Sequence, residues 1–362
     1  MRTRVTSRLA ALATLVLVVA TACGGETEDT TTTAATTATT QATTATTEAM
    51  AEPEFKVAVA YDLAGRGDGG FNDLAYNGAV EAAEELGLEF TEVTAKAEDT
   101  DQDRTDRLRL LADSGHNPIV AVGFTYAGPV AEVAAEYPDV WFGIVDDGTV
   151  EAPNVSGLIF AEEQGSFLVG VVAALESETG HVGFIGGVNI PLIVKFEAGY
   201  IAGAKAVNPD IEITSTYLSQ PPDFSGFNDP AKGKEAAKGM FDAGADIVYA
   251  AAGGSGGGLF EAATEGGYLA IGVDADQYHT AAPEVRDVIM TSMLKNVNVA
   301  TYTFVTQVVG GSGQAGVNLF DLETGGVGYS TSGGLIDHII DEVDAYADQI
   351  MSGEIVVPTS TG

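Results

Sequence analysis
The chain is short of most of the residues on which chemistry usually hangs. One cysteine in 362 residues allows no internal disulfide and no cysteine-based metal site. The four histidines, His116, His181, His279 and His338, are spaced too widely for a metal-ligand pattern, so no metal is expected. Basic residues are scarce, 16 Lys+Arg against 52 Asp+Glu for a net charge of −36. A phosphate backbone repels such a body, and nucleic acid is not an expected partner. The glycines after Ala252 miss the G-x-G-x-x-G spacing and no G-K-[ST] occurs, so no dinucleotide or P-loop cofactor is expected. What is present is a hydrophobic share of 45% and 45 glycines. That is too apolar for a disordered acidic chain, and the length suits one large or two mid-sized domains.

The N-terminus stands apart from the rest. Arg2, Arg4 and Arg8 precede an apolar run from Leu9 to Val19, and Ala20-Thr21-Ala22 supplies small residues before Cys23. This is the pattern of a secretory leader, too short to span a bilayer, which takes about 20 apolar residues. The cysteine sits where a lipoprotein signal places its acceptor, with Ala20 in the position usually held by Leu or Val. Residues 1–22 are therefore expected to be a signal peptide, and Cys23 the site of a lipid anchor contributing roughly 0.8 kcal/mol per buried CH₂. Residues 23–53 follow as a tether, because Thr30 to Thr47 holds only Thr, Ala and one Gln and has no apolar face to bury. The protein is thus expected to be exported and held at the outer face of the cell membrane. Cleavage removes three arginines and no acid, so the acidity belongs to the exported body and is read as surface adaptation to its medium.

From Phe55 the pattern changes. Phe55 to Tyr61 is a short apolar run ending at Asp62, followed by a Gly-rich loop and a helical stretch from Leu74 to Leu86 closed by Gly87. Further strand-like runs are Pro118–Phe124, Val140–Val145, His181–Ile185, Asp246–Ala252 and Leu269–Val273. Alternation of strands and helices implies parallel sheets, whose ligand sites lie at the strand C-terminal ends. The units are too many for one sheet of ordinary width, which predicts two similar α/β lobes with a cleft between them. The tripeptide Phe-Asn-Asp occurs twice, at Phe71-Asn72-Asp73 and Phe227-Asn228-Asp229. Both aspartates fall where helix N-caps belong, and Pro230 suits a first turn. Each phenylalanine either staples a helix start to the core or presents its ring to a ligand.

Two readings from other classes compete. Gly253-Gly254-Ser255-Gly256-Gly257 matches G-x-S-x-G between a strand and a helix, with Asp274 and His279 downstream in the order of an α/β serine hydrolase. Against it, a run with five glycines among six residues meets a five-residue pattern easily, and His279 follows Asp274 too closely. A sensing lipoprotein without a transporter is the other alternative.

The runs Val59–Asp62, Gly69–Asn72, Ile119–Phe124, Pro138–Asp147, Gly165–Gly170, Val182–Gly187, Ile271–Gln277 and Thr291–Lys295 together resemble, in order, the basic membrane protein (BMP) family of substrate-binding lipoproteins, the purine nucleoside receptors of ABC transporters. The resemblance covers nearly everything from Phe55 to about Gly310. It implies a non-enzymatic, monomeric protein of type I periplasmic-binding-protein fold, two Rossmann-like lobes with parallel sheets joined by a hinge, closing on a nucleoside delivered to the permease and ATPase subunits of an importer. The expected division is 55–157 with about 276–310 for the first lobe and 158–275 with about 311–362 for the second.

The same resemblance implies the site. Phe71 and Phe227 look like rings stacking on a base, with Asp62 and Asn72 on its edge. Asp274 and Lys295 resemble a ribose-binding pair, a carboxylate accepting from a diol while an ammonium donates to it. Asp146 resembles a further polar contact, and Gly253 and Gly254 let the backbone approach the sugar. Where many relatives carry an acid in the loop after Gly123-Phe124, this chain has Ala127-Gly128-Pro129. Glu162 and Glu163 match no motif and are read as structural.

Overall fold
The computed structural model describes residues 55–96 and 99–362. The leader, the tether and Cys23 lie outside them. Twelve strands are described: β1 (Lys56–Tyr61), β2 (Glu89–Thr94), β3 (Ile119–Val122), β4 (Phe142–Val145), β5 (Val155–Phe160), β6 (His181–Val188), β7 (Glu212–Ser219), β8 (Ile247–Ala251), β9 (Leu269–Asp274), β10 (Ile289–Lys295), β11 (Gly316–Phe320) and β12 (Val327–Tyr329). They form two six-stranded sheets, in the orders β11-β5-β4-β3-β1-β2 and β12-β10-β9-β8-β6-β7. Every neighbour pair is parallel except β10 with β12. The two sheets are wound alike: β1 to β5 in the first correspond to β6 to β10 in the second.

The helices that cover the sheets are α1 (Phe71–Leu86), α2 (Asp101–Asp113), α3 (Ala127–Glu136), α4 (Glu162–Glu176), α5 (Pro191–Val207), α6 (Pro230–Asp242), α7 (Gly256–Gly266), the single turn α8 (Gln277–Thr280), α9 (Val297–Val309) and α10 (Ile340–Met351). Side-chain alternation along each strand separates two core layers. In β1, Val57, Val59 and Tyr61 join the large core shared by both sheets, while Ala58 and Ala60 face a second core under α2 and α3. A third core lies under α6 and α7. α1 presents an alanine face, Ala75, Ala79, Ala82 and Ala83, and ends at Gly87 in the left-handed conformation the sequence predicts there. Gly78 on that helix admits α9 so closely that a Cβ would stand 1.9 Å from the Asn298 carbonyl oxygen.

The chain crosses between the sheets three times: at Ala161 after β5, at Asn296 after β10, and in the segment from β11 to β12. The crossings are tied together. Ala161 N–H donates to Phe320 O (3.0 Å) and Asn296 N–H to Gly326 O (2.8 Å). Leu322 N–H donates to Gln164 Oε1 (3.0 Å), and Asn296 Nδ2 to Gly325 O (2.8 Å).

The expected lobe boundaries need correction. The division after residue 157 falls inside β5. β10, expected with the first lobe, lies in the second sheet beside β9, and β11, expected with the second, pairs with β5 in the first. The period of a strand says which face is buried and nothing about which sheet it joins, so this assignment waits on the tertiary pairing. Edge strands β2 and β7 carry the mixed Glu/Thr/Ser alternation of a half-exposed surface, which is why no apolar run marks them.

Candidate functional site in the cleft
In each sheet the winding reverses between the first and third strands, β1/β3 and β6/β8, and open parallel sheets place ligands at such a switch point. The loop after β1 is the first wall. Asp62 follows the buried end of β1 and accepts from Ala64 N–H (3.0 Å) and from Asn72 Nδ2 (2.9 Å). Burial raises the Asp62 carboxyl above its ordinary range, opposed by those hydrogen bonds. Asn72 is 1% exposed. Its amide also donates to Asp68 (3.0 Å), and its Oδ1 has no partner among the described residues. The two predicted base-edge groups therefore sit together, with an acceptor to spare.

This loop also corrects the reading that no dinucleotide fingerprint is present. Gly65, Gly67 and Gly70 do have G-x-G-x-x-G spacing between a strand and a helix. The seat that would receive a pyrophosphate is taken by the loop's own carboxylates. Asp73 accepts from Gly67 N–H and Gly69 N–H (3.0 Å each) and from Arg66 Nε (2.7 Å), and Asp68 from Gly70 N–H (3.0 Å) and Asn72 N–H (2.8 Å). With the amides occupied by fixed anions, a phosphate meets repulsion. Asp73 is thus a loop brace inside the first turn of α1 and not the expected N-cap, which is Gly70. Asp229 does cap α6, accepting from Lys232 N–H at 3.0 Å.

The repeated tripeptide does not mark equivalent places. Phe71 opens α1 after β1, whereas Phe227 ends a short turn, Ser225–Phe227, after β7. Both rings are half-buried. Phe227 packs over Gly187, where a Cβ would come within 2.5 Å of its ring. Its carbonyl lies against Gly253, whose φ is +54°, and Asn228 lies against Gly254. Ser255 stands wholly buried beside them. It donates to Gly226 O and accepts from Asp229 N–H, both at 2.7 Å. Its hydroxyl ties the start of α7 to the Phe227 turn, and His279 is engaged elsewhere, with Ser332 and Asp276.

The equivalence of the lobes shows at a pair that the sequence also repeats. Gly143-Ile144-Val145-Asp146 ends β4, and Ile271-Gly272-Val273-Asp274 ends its counterpart β9. Among the described residues Asp146 (φ 70°) and Asp274 (φ 66°) are the non-glycine positions with left-handed backbone. Such strain persists where surrounding structure over-determines it and clusters at functional sites. The ammonium of Lys295, at the end of β10 and 2% exposed, sits 2.6 Å from Asp146 Oδ1 and 3.2 Å from Glu162 Oε1. The rings of Phe71, Phe160 and Phe196 surround it at 5.2, 5.1 and 5.6 Å. Burial opposes the charge on Lys295, but Asp146, Glu162 and Asp274 outweigh it and hold the ammonium protonated above its ordinary range.

In the described structure Lys295 is paired with Asp146 and Glu162. Glu162, read as structural, is the second carboxylate beside that ammonium. At 1% exposure in the first turn of α4, it also binds Lys195 Nζ at 2.6 Å, and a carboxylate there is favoured by the helix dipole. Asp274, beside Gly70 across the cleft, has no hydrogen-bond donor on its carboxylate among the described residues. Burial, eased by Lys295 and aggravated by Asp146, pushes it to about 7. Burial likewise moves Asp146 to about 6 against the pull of Lys295. The site is thus acceptor-rich, with carboxylates outnumbering ammonium groups. It suits a neutral ligand that offers O–H and N–H donors and disfavours an anion.

Residues 55–361 match the model of the Bmp family, described as ABC transporter substrate-binding protein PnrA-like. The chain is 36% identical over 286 residues to an uncharacterized lipoprotein of Pyrococcus furiosus, covering 76% of this chain and 69% of that one. It is 32% identical over 299 residues to basic membrane protein A2 of Borrelia garinii subsp. bavariensis, covering 80% and 85%. A solute-binding protein of an Aeropyrum pernix ABC transporter system superposes with a TM-score of 0.73 at 28% identity, covering 85% of this chain and 94% of that one. The chain belongs to the Bmp family of ABC transporter substrate-binding proteins.

Proposed function
We propose that this family member is the receptor for a neutral nucleoside, a purine ribonucleoside, which it delivers to the permease and ATPase subunits of an importer as a monomer anchored through Cys23. The observation that carries the reading is the acceptor cluster at matched ends of β4 and β9. Two buried carboxylates, Asp146 and Asp274, flank the cleft, and an ammonium and an aromatic ring stand beside them. Asp274 accepts from a vicinal diol while Lys295, oriented by Asp146 and Glu162, donates to its oxygens. Phe71 and Phe227, one from each side, offer faces for a base, with stacking contributing about 1–3 kcal/mol per base. Asp62 and Asn72 take the base edge, and Gly253 and Gly254 bring backbone close to the sugar. Closure about the three crossings buries the ligand and creates the form that docks on the permease.

Mass spectrometry of small molecules released on denaturing the purified protein identifies the ligand directly. Titration calorimetry with inosine, guanosine and adenosine then tests the site. Phe71→Ala lowers affinity at least tenfold, about 1.4 kcal/mol, with an unchanged unfolding midpoint. Wild-type affinity in that variant, or no nucleoside bound by the parent protein, refutes the reading.

A further inference from the structure
Beyond the groups assigned to base and ribose, one aromatic pair spans the two lobes. Phe124, from the turn after β3, meets Phe224, from the turn after β7, with ring centroids 5.7 Å apart and planes at 62°, the edge-to-face geometry that aromatic quadrupoles favour. Both rings are partly exposed and each stands on a braced turn. The Phe124–Tyr126 turn is pinned to β1 by Tyr126 Oη donating to Tyr61 O (3.0 Å). Phe224 precedes a turn held by Ser219, which donates to Asp223 O (2.7 Å) and accepts from Gly226 N–H (3.2 Å), and by Ser255 on Gly226 O. The segments that carry the pair adjoin residues of the proposed site. Gly123, next to Phe124, lies against the Asp62 carboxylate, 3.8 Å from a would-be Cβ to Oδ2, and Phe224 is three residues from Phe227.

We propose that Phe124 and Phe224 form a gate that closes the Asp62 end of the cleft and limits the size of the base edge presented there. This rests on the nucleoside reading, in which Asp62 takes the base edge; with adenosine the donor on that edge is the exocyclic N6–H. A substituent on that nitrogen would have to pass between two rings that touch only when the lobes are together. The gate therefore sets specificity by excluding enlarged bases, and the contact itself favours the closed form.

The test compares adenosine with N6-benzyladenosine, by calorimetry and stopped-flow dissociation, on the wild-type full chain, Phe224→Ala and Phe124→Ala. The wild type discriminates against the benzyl compound at least tenfold. Either variant reduces that ratio at least tenfold and releases adenosine about three- to tenfold faster, the loss expected for one edge-to-face pair. An unchanged ratio with unchanged dissociation overturns the gate. If the wild type binds no nucleoside at all, the nucleoside reading fails, and the gate is judged without ligand. Spin labels at Ala135→Cys and Glu235→Cys, in the Cys23→Ser background, report the interlobe distance. A shift to longer distances in Phe124→Ala and Phe224→Ala supports closure through the pair, and superimposable distributions overturn it.

Discussion
Asp274→Asn separates the cost of the site from its use. In the free protein the carboxyl of Asp274 is moved from 3.8 to about 7. At 1.36 kcal/mol per pH unit, keeping it ionised costs the folded state about 4 kcal/mol near neutral pH. The sign follows from proton binding. Between pH 4 and 7 the folded state holds a proton that the unfolded chain has released, so stability falls as pH rises through that window and levels off above it. Replacement by the isosteric amide removes the effect. The ligand-free variant should be stabilised by up to about 4 kcal/mol at pH 7 and by little at pH 4, as read by denaturant unfolding at each pH. Binding runs the other way, because a diol donates to the carboxylate and not to the acid. Wild-type affinity for inosine should therefore weaken as pH falls below 7, approaching tenfold per pH unit, with a smaller second component near pH 6 from Asp146. Asp274→Asn should bind at least tenfold more weakly at pH 8 and lose the component near pH 7. A wild-type affinity flat from pH 5.5 to 8, or the same slope in the variant, would refute the assignment of Asp274 as the diol acceptor. A variant no more stable at pH 7 than its parent would refute the buried-carboxylate account.

Other perturbations read different parts of the molecule. Glu162→Ala leaves Lys195 and Lys295 without their shared buried partner. It should lower stability by about 3–5 kcal/mol, the usual result of breaking a buried pair, measured by urea unfolding; a loss under 1 kcal/mol contradicts the network. Ser255→Ala removes a buried hydroxyl joining Gly226 O and Asp229 N–H, and should cost about 1–3 kcal/mol. Hydrolysis of a generic nitrophenyl ester should be undetectable in both forms, and Ser255-dependent turnover would revive the hydrolase alternative. The excess of 52 acidic over 16 basic residues is self-repulsive and screened by salt. The melting temperature should rise from low to molar sodium chloride, and equal values would remove the reading of the charge as surface adaptation.

Much of the scaffold was legible because it is written locally. Apolar runs such as Val57–Tyr61 and Ile119–Val122 followed by helical periodicity specify βα units, parallel sheets follow from their alternation, and Asp62, Asp146 and Asp274 stand at strand ends by position alone. Asp73 misled because an aspartate just before a helical run is ordinarily a cap, and only the folded loop shows it clamping Gly67 and Gly69. The Phe-Asn-Asp repeat suggested equivalence where the winding has none, while the true correspondence, Val145-Asp146 with Val273-Asp274, was present in the sequence without a spacing rule to mark it.

The chain's order of residues by itself determined the two-lobed α/β class, the membership of its family and the strand ends at which Asp62, Asp146 and Asp274 stand, because helix and strand periods and short motifs are properties of neighbours in sequence. Which partner each charge meets was decided by tertiary structure. Lys295 finds Asp146 and Glu162, each more than a hundred residues away, and Phe124 finds Phe224 only across the cleft. The sheet that β10 and β11 join, and the burial that lifts Asp274 to about 7, arise from the same packing. A carboxylate's ionisation depends on the water and charge around it, and those are supplied by the fold.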